Sequence, residues 1–472
     1  MKNFYVTSPI FYPNAQPHMG HAYTTLLCDV LARYHKSIGE ETYFLTGTDE
    51  HTEKIIQAAK TQGQEPTAYL ETIVERFKNL YKKLDIAYDQ FIRTSDQHVH
   101  WPGAIEMWKR LSAAGKLEKR EYTGLYCSGC EAFKTEKELI NGLCPDHGTA
   151  PEKVTEQNWF FKLKEFGPQL EQLITNDELC IIPQSRKKEI LSFIRSGLED
   201  VSFSRPKDKM TRGIPVPEDP TQTMYIWVDA LTNYITALGF GRGEELMRFW
   251  PGIHIIGKDI LRFHTVFWPA MLLSAKLSLP KAVFVHGTII SNGKKMSKSL
   301  GNIISPYDMI DRYGKDGTRY LLLRHIHPFE DTDVTWERLD EWYTADLVSG
   351  LGNWVARVMQ MASLHLDAPV DLSDRRAPYS VAQWMDKFEF HNAIAALWID
   401  AAHIDGIVQE QKPFEVVKTN KKQAQLQLTY LVKELSRLSE SLESFMPETA
   451  EKIKKAIREN KKPENLFPRL ID

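Results

Sequence analysis

Two stretches of this sequence concentrate side chains suited to holding an anion. In Pro17-His18-Met19-Gly20-His21, two imidazoles flank a glycine. The rings can donate to phosphate oxygens, and the glycine lets the backbone come close to the same ligand. The second stretch, GKKMSKSLGN from Gly293 to Asn302, has three lysines, two serines and no acidic residue. Lys294, Lys295 and Lys298 are point charges suited to a phosphate chain, in an expected loop bracketed by Gly293 and Gly301. When a nucleophile attacks an α-phosphate, charge spreads over the non-bridging oxygens. Lysines closing on the leaving pyrophosphate stabilise that state more than the ground state. Taken singly, each stretch reads equally well as a turn or a solvated surface; the two together are far more specific.

A third cluster has metal-ligand spacing. Cys127 and Cys130 lie in CSGC, and Cys144 and His147 in CPDH, two short pairs about a dozen residues apart. Thiolates and an imidazole suit zinc. Four protein ligands leave no open position for water, so one structural Zn2+ is expected rather than a catalytic one. Cys28 and Cys180 have no such partners and read as core residues.

These side chains need a frame. NFYVTSPIFY reads as a strand, HAYTTLLCDVLARYHKSIG as a helix stopped by Gly39, and ETYFLTGTDEH as a second strand. A strand, helix and strand within about fifty residues favours a parallel sheet, with the histidine pair at the first strand-to-helix joint. Ligands of open parallel sheets bind at the carboxyl ends of strands, where a helix N-terminus adds amide donors. The chain is helical and polar from roughly 53 to 116, then turns to short strands around the cysteines. A second αβ portion follows, with MYIWVDALTNYITALGF, HIIGKDILRFHTVFWPAMLLSA and the apolar strand AVFVHGTIIS. From about 341 onward the text is almost wholly helical.

Composition limits the rest. The 472 residues are 42% hydrophobic with formal net charge −3, so cores are ample and no global basic field marks a nucleic-acid partner. Five cysteines do not make a disulfide framework, there is no signal-peptide layout, and no apolar run is long enough to span a membrane. A cytoplasmic protein is expected.

Taken together these motifs resemble the class I aminoacyl-tRNA synthetases. HMGH is similar to their HIGH signature, and KMSKS, Lys295 to Ser299, matches their second signature letter for letter. TSPIFYPNAQPHMGH, LTGTDEH, YIWVDALTNY, HIIGKDILRFHTVFWPA and HGTIISNGKKMSKSLGN resemble the methionine branch of that family, in its order, as does the single zinc knuckle. The resemblance implies an α/β fold in four parts. A Rossmann-type catalytic domain (1–116 and 223–300) is split by a connective insertion carrying the knuckle (117–222). A KMSKS/stem-contact linker region (301–340) and an α-helical anticodon-binding bundle (341–472) follow. Thr52 stands where the family usually has glycine, a change expected to stiffen the turn and leave the chemistry intact. No appended OB-type domain follows NLFPRLID, which implies a monomer.

The resemblance also implies roles. His18, His21, Lys295 and Lys298 would be catalytic, and His18, Gly20, His21, Gly257, Asp259 and Lys298 would bind ATP with its Mg2+, the Gly257–Asp259 pair at the ribose. Ile10, Tyr12, Trp227, Ala230, Leu231, Tyr234, Phe263 and His264 would surround the methionine side chain, and Asp49 would pair with its ammonium. A thioether favours such polarizable aromatic contact. Asn353, Arg357 and Phe414 would read the anticodon of tRNA(Met). Phe414 departs from the family's usual tryptophan, offering a smaller π-face and no N–H. The implied activity is activation of L-methionine by ATP and transfer to the tRNA 3′ end. Isoleucine, valine and leucine enzymes need a far longer editing insertion, a cysteine enzyme needs a zinc-binding cysteine just before HMGH, and small nucleotidylyltransferases lack KMSKS. The alternative is a catalytically degenerate paralogue that binds tRNA as a regulator, against which the intact His18, His21, Lys295 and Lys298 argue.

Overall fold

The computed structural model describes residues 2–128, 132–134, 136–145, 148–296, 302–374 and 376–470, with backbone alone at 132, 133, 137 and 295. Strand β1 (Asn3–Phe11) is buried along nearly its whole length, as a central strand covered on both faces must be. Helix α1 (Met19–Ser37) follows, and Gly39 stops it at φ 86°. Strand β2 (Glu41–Thr48), helix α2 (Pro66–Lys83), strand β3 (Gln90–Arg93) and helix α3 (Trp101–Ala113) complete the first half. The expected βαβ opening is present, whereas β3, only four residues long, interrupts a stretch expected to be helical.

Antiparallel strands β4 (Leu117–Cys127) and β5 (Glu152–Phe161) pair from Leu117↔Phe161 to Tyr126↔Glu152 and form most of the projecting segment. The chain then returns through the helix Gly167–Thr175, strand β6 (Cys180–Ile182) and the helix Gln184–Arg195. After short helix α4 (Trp227–Ala230) come β7 (Ile253–Gly257) and β8 (Ala282–His286). The main sheet is parallel throughout, in the order β3-β2-β1-β7-β8-β6. β1 therefore lies between its sequence neighbour β2 and the distant β7, which makes it the switch point where a ligand crevice opens. The span 117–222 is not separate from this sheet, because β6 supplies one of its edges.

AVFVHGTIIS does not run as one strand. It breaks after β8, and β9 (Ile289–Ser291) joins another sheet, pairing with β10 (Lys294–Lys295) and with Thr332–Asp333. At the break, Gly287 admits the backbone of Glu330, for an added Cβ would sit 2.0 Å from its carbonyl oxygen. Asn292 and Gly293, both at positive φ (54° and 70°), close the β9–β10 hairpin as a type I′ turn. The first half of the expected lysine loop is thus a hairpin.

Helices α5 (Pro306–His325), α6 (Asn353–His365), α7 (Phe390–Gln411), α8 (Pro413–Val416), α9 (Lys421–Leu442) and α10 (Pro447–Glu459) account for most of the remainder, with shorter helical segments at Trp336–Trp342, Tyr343–Gly352 and Ala382–Met385. Strand alternation divides the apolar residues between two cores. Phe4, Val6, Phe44, Ile255 and Phe284 face α1 and belong to a core continuous through α5 into the bundle. Tyr5, Leu45, Ile256, Val283 and Val285 face the opposite way, into a core shared with α3 and the returning segment. At the joint sits Arg319 of α5, fully buried. It pairs with Asp29 of α1 at 2.7 Å and donates to the carbonyls of Leu84, Ser444 and Phe445. No helix among the described residues is long and apolar enough to cross a membrane.

Candidate active site

The histidine pair occupies the joint between β1 and α1. His18 Nδ1 accepts from the Gly20 amide at 3.0 Å, and His21 Nδ1 accepts from the His18 amide at 3.2 Å. The two rings satisfy donors that a helix start leaves open, and they stack with centroids 3.7 Å apart. Since each Nδ1 accepts, each neutral ring carries its proton on Nε2. Burial and the neighbouring His18 ring keep the His21 pKa well below the usual imidazole value, so His21 is a neutral donor at pH 7. An added Cβ at Gly20 would meet the His18 ring at 2.9 Å, so the glycine first makes room for its own signature histidine.

Across the switch point, β7 ends at Gly257 and leads to exposed Asp259, whose carboxylate lies 2.7 Å from a Cβ built on Gly257. Lys294 and Lys295 form the second strand of the hairpin, paired Ser291↔Lys294 and Ile290↔Lys295, and the Gly293 amide donates to Asp333 at 3.2 Å. Lys298 lies outside the described residues, as does the side chain of Lys295. Asn302, on the far side of the loop, donates to the Ser291 carbonyl at 3.1 Å.

The residues expected around the side chain lie in or against one core. Ile10, Tyr12, Trp227, Leu231, Tyr234 and Phe263 share one apolar cluster, with Ala230 on the same turn as Trp227. Trp227 stacks on Phe263 with centroids 3.4 Å apart and an interplanar angle of 11°. Tyr234 and His264 are joined at 2.6 Å between hydroxyl and Nε2, and His264 Nδ1 lies 2.9 Å from the Ile260 carbonyl. That carbonyl can only accept, so Nδ1 holds the proton, Nε2 accepts, and Tyr234 spends its hydroxyl proton on His264. Burial lowers the His264 pKa to about 4, which keeps the ring neutral. Asp49 follows β2, is 3% exposed, and is fixed by its amide to the Phe11 carbonyl at 3.0 Å. Thr52 caps the next helix by accepting from the Lys54 amide, so the departure from glycine has a defined local use.

Four buried groups near the pocket were not legible in the sequence. Asp229, two residues after Trp227, meets His51 Nδ1 and His100 Nε2, each at 2.6 Å. His254 bridges Thr7 at 2.8 Å and Trp268 at 3.2 Å. His51, Asp229 and His254 each fall within a motif stretch, LTGTDEH, YIWVDALTNY and HIIGKDILRFHTVFWPA, whereas His100 lies in none.

Cys127 closes β4 and Cys144 lies further along, before β5, and both are buried. Cys130 and His147 lie outside the described residues. No group of three or more potential metal ligands occurs among the described residues. In the bundle, Asn353 is exposed at the start of α6, and Arg357 one turn on pairs with Asp405 of α7 at 2.7 Å. α7 runs on to Phe414 of α8, which is 40% exposed.

A parallel sheet with an HxGH-type helix start on one side of its switch point and a lysine hairpin on the other defines a class I aminoacyl-tRNA synthetase. The family model described as tRNA synthetases class I (M) matches residues 4–151 and 134–359. The chain belongs to the methionyl-tRNA synthetase family. It is 40% identical to the methionine–tRNA ligase of Caldanaerobacter subterraneus subsp. tengcongensis, over 96% of this chain and 73% of that protein. It is 37% identical to that of Brucella suis biovar 1, over 96% of this chain and 91% of the relative. Among solved structures it is similar to Mycobacterium tuberculosis methionyl-tRNA synthetase in complex with methionyl-adenylate. That likeness has TM-score 0.89 and 35% identity, and covers 96% of this chain and 93% of the other.

Proposed function

We propose that this protein joins L-methionine to tRNA(Met) in two steps. The methionine carboxylate attacks the ATP α-phosphate and releases pyrophosphate. The terminal ribose hydroxyl of the tRNA then attacks the adenylate carbonyl and releases AMP. No general base is required in the first step, because the nucleophile is already an anion; orientation and electrostatics supply the rate gain. The observation that carries this reading is the convergence of the histidine pair, the Asp49 turn and the aromatic pocket at the carboxyl edge of one sheet.

Each residue then has a task. The Nε2–H groups of His18 and His21 donate to phosphate oxygens. Lys295 and Lys298 neutralise the departing pyrophosphate, and Asp259 with Gly257 holds the ribose. Asp49 takes the ammonium, a charge-assisted contact, while Trp227, Tyr234 and Phe263 pack on the thioether with Ile10, Tyr12, Ala230, Leu231 and His264. Mg2+ enters with ATP. Cys127 and Cys144, buried thiols of the right chemistry, would hold a structural Zn2+ with Cys130 and His147. Asn353, Arg357 and Phe414 would take the anticodon, with Arg357 pre-oriented by Asp405. The division into catalytic domain, insertion, linker and bundle, and a cytoplasmic monomer, complete the reading. Methionine-dependent exchange of pyrophosphate into ATP, followed by charging of tRNA(Met), is the test. Exchange supported by another amino acid but not by methionine would overturn the pocket.

A further inference from the structure

The proposed chemistry leaves unused a buried, charged cluster beside the pocket. Asp229 has no exposed surface and both its oxygens are occupied, Oδ2 by His51 Nδ1 and Oδ1 by His100 Nε2. His100 reaches on with Nδ1 to Thr236 Oγ1 at 2.9 Å, and Thr236 ends the short helix that carries Tyr234. Burial alone would raise the Asp229 pKa, yet the two histidines hold it down to about 2. Burial disfavours the His51 cation, and Asp229 overrides that and raises the His51 pKa. The other groups facing His51 are Asp49 and Glu50, which add to the rise, and the ring of Trp101 at 6.0 Å. Glu50 is itself tied to Arg93 at 2.7 Å.

A buried carboxylate gripped by two imidazoles costs desolvation, and a hydrophobic packing would hold the fold at least as well. Its position gives it a use. His51 lies two residues beyond Asp49, and Asp229 two residues beyond Trp227. One hydrogen bond therefore ties the turn bearing the ammonium partner to the helix bearing the aromatic wall. The His100 arm ties the same carboxylate to the start of α3 and, through Thr236, to the helix of Tyr234. We propose that Asp229, with His51 and His100, is a positioning cluster that sets the distance between the Asp49 carboxylate and the Trp227–Tyr234 wall. It thereby fixes affinity for the amino acid rather than for ATP. This rests on the reading of Asp49 as the ammonium partner.

The test is Asp229→Asn, which keeps the shape and removes the charge. In pyrophosphate exchange, KM for methionine should rise tenfold or more, while KM for ATP and kcat at saturating methionine stay within about twofold. Affinity for 4-(methylthio)butanoate, which is methionine without its ammonium, should change less than threefold. In an Asp49→Asn background the same substitution should add nothing to methionine KM. An equal loss for both ligands, or a rise in ATP KM with a fall in kcat, would mean general damage to the fold and would overturn the proposal. If Asp229→Asn does not fold, His100→Gln, which cuts only one arm, decides by the same ratios. Should the wild-type protein show no methionine-dependent exchange, the reading of the pocket fails first. Should it exchange while the variant keeps its methionine KM, only the positioning role fails.

Discussion

Arg319→Met should be among the most damaging single changes outside the active site. Arg319 and Asp29 are both fully buried and 2.7 Å apart, and the same guanidinium donates to the carbonyls of Phe445 at 2.8 Å, Leu84 at 3.0 Å and Ser444 at 3.2 Å. Methionine fills most of the volume, so the loss is electrostatic. Three buried acceptors lose a donor, each worth roughly 1–3 kcal/mol if left unsatisfied. Asp29 keeps Arg33 at 2.9 Å and the Ala87 amide at 2.8 Å, so its charge is only partly abandoned. These contributions overlap, and removing one partner of a buried pair costs about 3–5 kcal/mol, which is the expected size here. Adding Asp29→Asn should recover at least about 1 kcal/mol of that, because the stranded charge goes with it. Because the carbonyls lie at the C-terminal cap of α2 and in the turn before α10, the variant should also loosen the bundle from the catalytic part. Urea unfolding followed by tryptophan fluorescence and by pyrophosphate exchange would show the two signals separating. A loss below about 1 kcal/mol with the two signals still coincident would refute the argument.

Lys298→Ala should slow adenylate formation in single-turnover experiments and leave methionine affinity nearly unchanged; a large rise in methionine Kd at a normal rate would contradict the assigned place on the phosphates. Phe414→Trp should strengthen binding of tRNA(Met) and sharpen anticodon discrimination by enlarging the stacking surface, and unchanged values for both would show that stacking there is not limiting. His264 is held near pKa 4 by burial, against 6.5 when unfolded. The folded state therefore binds fewer protons, and the stability this group contributes is complete above pH 6.5 and drains away as pH falls toward 4. His264→Gln should flatten that acid limb in urea midpoints taken between pH 7.5 and 4.5, and an unchanged limb would reject the neutral, buried assignment.

What could be read from the sequence was local chemistry on regular elements. The histidine pair sits at a strand-to-helix joint because β-rich text ends where a helical period begins, and both signals are short-range. Asp49 could be placed at a strand end for the same reason. The break at Gly287 could not be read, since AVFVHGTIIS is one apolar run and the Glu330 backbone that packs against the glycine comes from far along the chain. β6 has three residues, too few for any period to register. Asp229 joins His51 and His100 from 178 and 129 positions away, so only the fold reveals that three unremarkable residues are one group. Arg319 was hidden likewise, an arginine in a helix whose four partners come from elsewhere. For the knuckle, spacing was the whole signal, and the structure adds that Cys127 and Cys144 are buried.

The order of strands has a mechanical consequence. The chain leaves the main sheet from β3 at one edge, builds the β4–β5 ribbon, and returns through β6 at the opposite edge. The projecting segment is thus mounted like a bridge with two abutments, not hung like a flap from one hinge. A single protease cut within 136–142, beyond the paired length of the ribbon, would leave each fragment holding one edge of the sheet. The fragments would still be laced together from Leu117↔Phe161 to Tyr126↔Glu152. Such a nicked protein should migrate as one particle, and the two pieces, expressed separately, are natural halves for reconstitution.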